Sequence, residues 1–162
     1  MDIRPLTDVL SVSAQISALD LQSLREAGFK SVICNRPDGE GADQPNFGEI
    51  QRAAMAAGIE ARYLPAESGK VSDEQGSTFG ALMQELPKPV LAFCRTGMRS
   101  TTMWALSQAG QMDLPQIIER ASRAGFDVKG VARRILNGGK TPVEVADACL
   151  LYTSPSPRDK RQ

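Results

Sequence analysis

Seven consecutive residues, Cys94-Arg95-Thr96-Gly97-Met98-Arg99-Ser100, directly follow the apolar run Pro89-Val90-Leu91-Ala92-Phe93. A cysteine at the carboxyl end of a buried strand, then a glycine-containing loop, then helix-forming residues, is the layout of a nucleophile in an anion cradle. The loop amides from Arg95 to Arg99 are expected to turn toward the sulfur, and the next helix aims its positive end at the same point. Such surroundings favour thiolate over thiol, because a free cysteine pKa of about 8.5 falls below about 7.5 beside amides and cations. Arg99 is suited to hold the oxyanion of a substrate through its planar fork, with Thr96, Gly97 and Met98 completing the cradle. Arg95 either assists in anion binding or faces solvent. Ser100 is either an ordinary hydroxyl of the helix's first turn or a donor to the thiolate.

Composition narrows the chemistry. The 162-residue chain contains no histidine, which removes Cys-His and Ser-His catalysis and argues against a catalytic zinc site. Cys34, Cys94 and Cys149 are odd in number and lack metal-ligand spacing, so neither a metal nor another cofactor is expected, and at most one thiol is reactive. Lys and Arg number 19 against 19 Asp and Glu, a balance with no basic excess for nucleic acid. No apolar run approaches the roughly 20 residues that span a bilayer, and Met1-Asp-Ile-Arg-Pro-Leu6 lacks signal-peptide order, so no membrane association and a cytoplasmic location are expected.

The elements that must position the cradle follow from periodicity. Asp8–Ala14 reads as a short strand. Ser17 serves as N-cap to a helix carrying Leu21, Leu24 and Ala27 and ended by Gly28. Lys30–Asn35 is short and β-branched, a buried strand in which Cys34 is a core filler rather than a reactive thiol. The polar loop Asn35–Gln44 lies at that strand's carboxyl end, where ligands gather in open α/β sheets, although Pro-Asp-Gly is also an ordinary turn. A helix over Pro45–Ala57, a strand over Ile59–Leu64 and a helix to Leu86, opened by the capping box Ser72-x-x-Gln75, come next. Val90–Phe93 is the central strand, with a helix over Ser100–Gly110 and further helices over Pro115–Ala124 and Phe126–Leu136. The alternation predicts an α/β fold: a mostly parallel central sheet of about four strands with helices on both faces. Residues 1–148 read as a single domain. Residues 149–162, with Thr153-Ser-Pro-Ser-Pro157, read as a non-native tail, a translated sequencing adapter standing where a longer native end is expected, or else as a natural disordered tail.

The set Asn35-Arg36-Pro37-Asp38-Gly39-Glu40, Gln44-Pro45, Pro89 to Ser100, and Leu106 after Trp104 resembles the beta-lactamase-hydrolase-like phosphatase family across roughly residues 2–110. The resemblance implies a cysteine-phosphatase fold of the dual-specificity type, with Cys94 as nucleophile and Arg99 as anion-binding arginine. In some members this module is linked with a persulfide dioxygenase in sulfide detoxification, which would be a partner. The loop departs from true cysteine phosphatases: four residues separate Cys94 from Arg99, one fewer than they use, and Phe93 stands where they usually carry histidine. Its length resembles the active loop of rhodaneses.

A phosphatase expels an alkoxide or phenoxide and needs a positioned general acid, whereas sulfur transfer expels sulfite or a low-pKa thiolate without one. The expected function is therefore sulfurtransfer from thiosulfate or a small persulfide through a Cys94 persulfide. The alternative is a cysteine-dependent phosphatase, with its acid or loop contact drawn from Asp38, Arg36 and Glu40, Asp38 first. A third reading is a non-catalytic module that senses persulfides or anions. The expected partner in the first two readings is a small anionic sulfur or phosphate compound.

Overall fold

The computed structural model describes residues 1–143, and the expectations for Cys149, the 149–162 tail and the boundary at 148 lie outside them. Its centre is a five-stranded sheet in the order β1-β2-β5-β3-β4. These strands are β1 (Arg4–Pro5), β2 (Leu10–Ser13), β3 (Ser31–Cys34), β4 (Glu60–Tyr63) and β5 (Val90–Phe93). All pairings are parallel except that of β1 with β2. The fifth strand, absent from the sequence expectation, is a two-residue edge folded back at Thr7, whose hydroxyl accepts from the amides of Val9 and Leu10. Such a short strand leaves no periodic trace.

Strand alternation divides the core into two layers. Leu10, Val12, Ile33, Val90 and Ala92 face a cluster completed by Phe79, Met103, Trp104 and Ile117. These last come from α3 (Asp73–Glu85), α4 (Met98–Ser107) and α5 (Leu114–Arg123). Val32, Cys34, Leu91 and Phe93 face the other way, against Leu21 and Leu24 of α1 (Asp20–Glu26) and Ile50 and Ala54 of α2 (Phe47–Ala57). Every β5 residue is buried, as a strand covered on both faces requires.

Local chemistry accounts for the helix ends. The Ser72 hydroxyl accepts from the Gln75 amide and the Gln75 side chain accepts from the Ser72 amide, the expected capping box. At α1 the expected roles reverse: the amide and hydroxyl of Ser17 donate to the Asp20 carboxylate, and the N-cap position falls two residues later, at Leu19. The helix expected over Phe126–Leu136 is divided into a 3-10 turn at Lys129–Val131 and the short α6 (Ala132–Leu136). There the Asp127 carboxylate accepts from the Lys129 amide, a local bond that competes with helix continuation. Among the described residues no helix is long and apolar enough to cross a membrane, and no cluster of His, Cys, Asp and Glu is arranged to hold a metal.

Candidate active site

The carboxyl ends of β3 and β5 are neighbours, so the Asn35–Gln44 and Cys94–Gly97 loops meet at one sheet edge. Cys94 is fully buried, and its Sγ accepts the Gly97 amide at 3.0 Å. Gly97 is the N-cap of α4, which therefore opens at Met98, two residues before the sequence expectation, and carries Arg99 and Ser100 within its first turn. Gly97 sits at φ +100°, where a Cβ would stand 2.9 Å from the Phe126 ring and 3.4 Å from the Ser13 carbonyl oxygen. Both conformation and space exclude a side chain there. The Thr96 hydroxyl accepts the Met98 amide at 3.3 Å, and the side chain of Met98 packs against the core.

Arg99 is buried, and its guanidinium grips Glu40 with both prongs, Nη1 to Oε2 at 2.7 Å and Nη2 to Oε1 at 2.8 Å. Nη1 also donates to the Ala66 carbonyl at 3.0 Å. Arg36 supports the same carboxylate from behind, its Nε donating to Glu40 Oε1 at 2.9 Å and its Nη1 to Gln15 at 3.2 Å. The Arg99 guanidinium first, with Arg36 adding to it, holds the Glu40 carboxyl at about 2, against the partial burial that pushes it up. Glu40 in turn, and Cys94 as well, raise Arg99 above the ordinary arginine range. Glu40 is thus an ion-pair partner and an acceptor, which corrects its place among the acid candidates. Arg36 positions that partner.

Asp38 is engaged elsewhere. Its Oδ1 accepts the Phe47 amide at 2.8 Å and its own amide donates to the Tyr63 hydroxyl at 2.9 Å, fastening the loop to α2 and β4. The Ser100 hydroxyl donates to Asn35 Oδ1 at 2.7 Å, so its single proton is not offered to the thiolate. Asn35, buried and missed by sequence reasoning, joins the two loops and also donates to the Leu64 carbonyl at 2.8 Å. Its signal was its place at the end of β3. Phe126 beneath Gly97 and Gln15 behind Arg36 had none. Cys34 follows expectation: burial pushes its thiol up to about 11, and its Sγ donates to the Arg36 carbonyl.

Residues 2–111 match the family described as beta-lactamase hydrolase-like protein, phosphatase-like domain. The chain belongs to this family. Within it, the beta-lactamase hydrolase-like protein of Agrobacterium fabrum is 32% identical over 130 residues, covering 79% of this chain and 30% of its own length. The chain thus spans under a third of the curated relatives it matches. Among solved structures, a candidate phosphatase of Neisseria meningitidis superposes with a TM-score of 0.76 at 33% identity, covering 85% of this chain and 99% of the other. Tk-PTP in its active form aligns at a TM-score of 0.59 and 17% identity over 91% of this chain and 92% of its own. The fold is that of the cysteine phosphatases.

This phosphatase-like domain carries a cavity of about 290 Å³ next to the cradle, bordered by Arg95, Thr96, Met98 and Arg99 and closed by Val71 and Arg134. A larger one of about 420 Å³, between α3, α4 and residues 138–140, touches no residue of the Cys94 loop. Of these two, the smaller cavity is the one that borders the loop following Cys94.

Proposed function

We propose that this domain is a cysteine-dependent phosphate-ester hydrolase in which Cys94 is the nucleophile and Arg99 the oxyanion holder. The observation that carries the reading is Cys94 at the end of the central strand, its sulfur 3.0 Å from the Gly97 amide, on a cysteine-phosphatase fold. The Cys94 thiolate attacks phosphorus; the S–P bond forms and the P–O bond to the leaving group breaks. Water then cleaves the thiophosphate, releasing phosphate and restoring the cysteine. Neither Asp38 nor Glu40 is poised as a proton donor, so the favoured esters are those whose leaving group departs as a stable anion, such as activated aryl or acyl phosphates.

A second reading, sulfur transfer from thiosulfate or a small persulfide, is favoured by one observation: the four residues between Cys94 and Arg99 form a smaller cradle. In that reaction the thiolate takes the outer sulfur, the S–S bond breaks toward sulfite or a thiolate, and an acceptor thiol or cyanide removes the sulfur. A persulfide dioxygenase is then the partner enzyme. A reducing, cytoplasmic setting suits either reaction, since Cys34 and Cys94 are both free thiols.

Hydrolysis of an aryl phosphate and thiocyanate formation from thiosulfate and cyanide, measured side by side on wild type and Cys94→Ser, separate the two. Phosphate release lost in Cys94→Ser supports the first reading. Thiocyanate formation alone replaces it with the second. If both assays are flat and the cysteine still gains one sulfur by mass, a sensing module replaces both.

A further inference from the structure

Three guanidiniums border the cavity beside the cradle, and they are not equivalent. Arg99 is paired with Glu40 at 2.7 Å, a carboxylate it shares with Arg36. Arg134 is neutralised by Asp73, also at 2.7 Å, and donates to the Val71 carbonyl at 2.9 Å. Arg95 is exposed and, among the described residues, has no carboxylate within ion-pair distance. The wall between these charges includes the apolar side chains of Val71, Met98 and Val131. The cavity's volume of about 290 Å³ lies at the lower end of the range of small-molecule pockets. That is a small molecule's worth of space, bordered by Arg95, Thr96, Met98 and Arg99 of the segment that follows Cys94, with an apolar wall and one arginine that has no carboxylate partner among the described residues.

We propose that this cavity receives the part of the substrate that is not transferred, a short apolar stem ending in a second anionic group that pairs with Arg95. The inference rests on the reading of Cys94 and Arg99 as the site of the reacting anion, and it adds the substrate class: compact molecules with an anion at each end. The apolar wall excludes water from the stem, which contributes about 25 cal/mol for each Å² covered. The terminal anion gives Arg95 the kind of partner that Arg99 has in Glu40 and Arg134 has in Asp73. Discrimination arises because a substrate lacking that anion leaves Arg95 with solvent as its only partner.

Two non-reacting probes test this on the whole chain by calorimetry. Butanesulfonate offers an anion for the cradle and an apolar stem; 4-sulfobutanoate adds the terminal carboxylate. At low ionic strength the carboxylated probe is expected to bind wild type about two- to fivefold more tightly, the range of an exposed ion pair. Arg95→Ala brings that ratio to about one, and Arg95→Glu inverts it. Equal binding of the two probes to wild type, no binding of either, or a ratio preserved in Arg95→Ala overturns the proposal. Arg99→Lys, which keeps a cation and loses the two-pronged fork, tests the underlying reading separately. Weaker butanesulfonate binding in that variant supports it, and unaltered binding sinks it whatever the Arg95 ratio shows.

Discussion

Replacing Glu40 with glutamine removes one charge from the centre of the ion-pair cluster, and its effect can be worked out from the structure. Glu40 falls from 4.5 to about 2 on folding. At about 1.4 kcal/mol for each tenfold change in proton affinity, that difference amounts to about 3 kcal/mol. The Glu40 side chain keeps 27% of its surface open, and solvent screening reduces the contribution to about 1–2 kcal/mol. Because the folded pKa is depressed, this stability is fully present above pH 4.5 and is lost as pH falls through about 2. Glutamine retains one acceptor oxygen for Arg99 and leaves two buried guanidiniums without a counter-charge, so Glu40→Gln should lose about 1–2 kcal/mol at pH 7. In a domain of this size that lowers the Tm by about 3–6 °C. Urea unfolding of wild type and variant at pH 7, 4.5 and 3 measures the quantity. Other carboxylates titrate in the same range, and the difference between the two proteins at each pH isolates Glu40. The gap should be widest at pH 7 and close toward pH 2. Equal midpoints at pH 7, or a gap that does not narrow on acidification, would show that the Glu40 clamp on Arg99 is not the stabilising pair described above.

Two further outcomes follow from the same region. Gly97→Ala combines a positive φ with overlap on the Phe126 ring, and should cost about 2–4 kcal/mol in urea unfolding. Phe126→Leu in the same chain should recover part of that loss, and failure to recover any would place the whole cost in the backbone. Cys34, raised to about 11 from 9.0, contributes stability that is complete below pH 9 and is lost as pH rises through 11. Wild type should therefore lose stability more steeply than Cys34→Ala across that window, and parallel alkaline profiles would refute the assignment.

The loop between β3 and α2 shows how far one-dimensional reasoning reaches. Its position at the carboxyl end of a strand marked it either as a ligand-gathering loop or as an ordinary turn, and the structure joins it to the cysteine loop. Neither candidate carboxylate within it is placed as the acid. Asp38, the first candidate acid of the phosphatase reading, accepts the first amide of α2 and donates its own amide to Tyr63, while Glu40 reaches across to Arg99. Both are carboxylates in one turn-rich segment, two residues apart. Nothing local distinguishes them, since the distinction is which way the turn presents each side chain.

What the sequence determined by itself is whatever depends on neighbours along the chain. The apolar run Val90–Phe93 ending at Cys94, the Ser72–Gln75 cap, the amphipathic helices and the ordered motifs that carry family membership are all encoded within a turn or two, where periodicity and capping chemistry act. Only the tertiary structure decided which distant groups share the cradle. Glu40 lies 59 residues from Arg99 and Asn35 lies 65 from Ser100. Phe126 packs under Gly97 from beyond another helix. These contacts exist because β5 inserts between β2 and β3, bringing two loop ends to one edge. Strand order is set by the packing of both sheet faces together, a property no single stretch of residues contains.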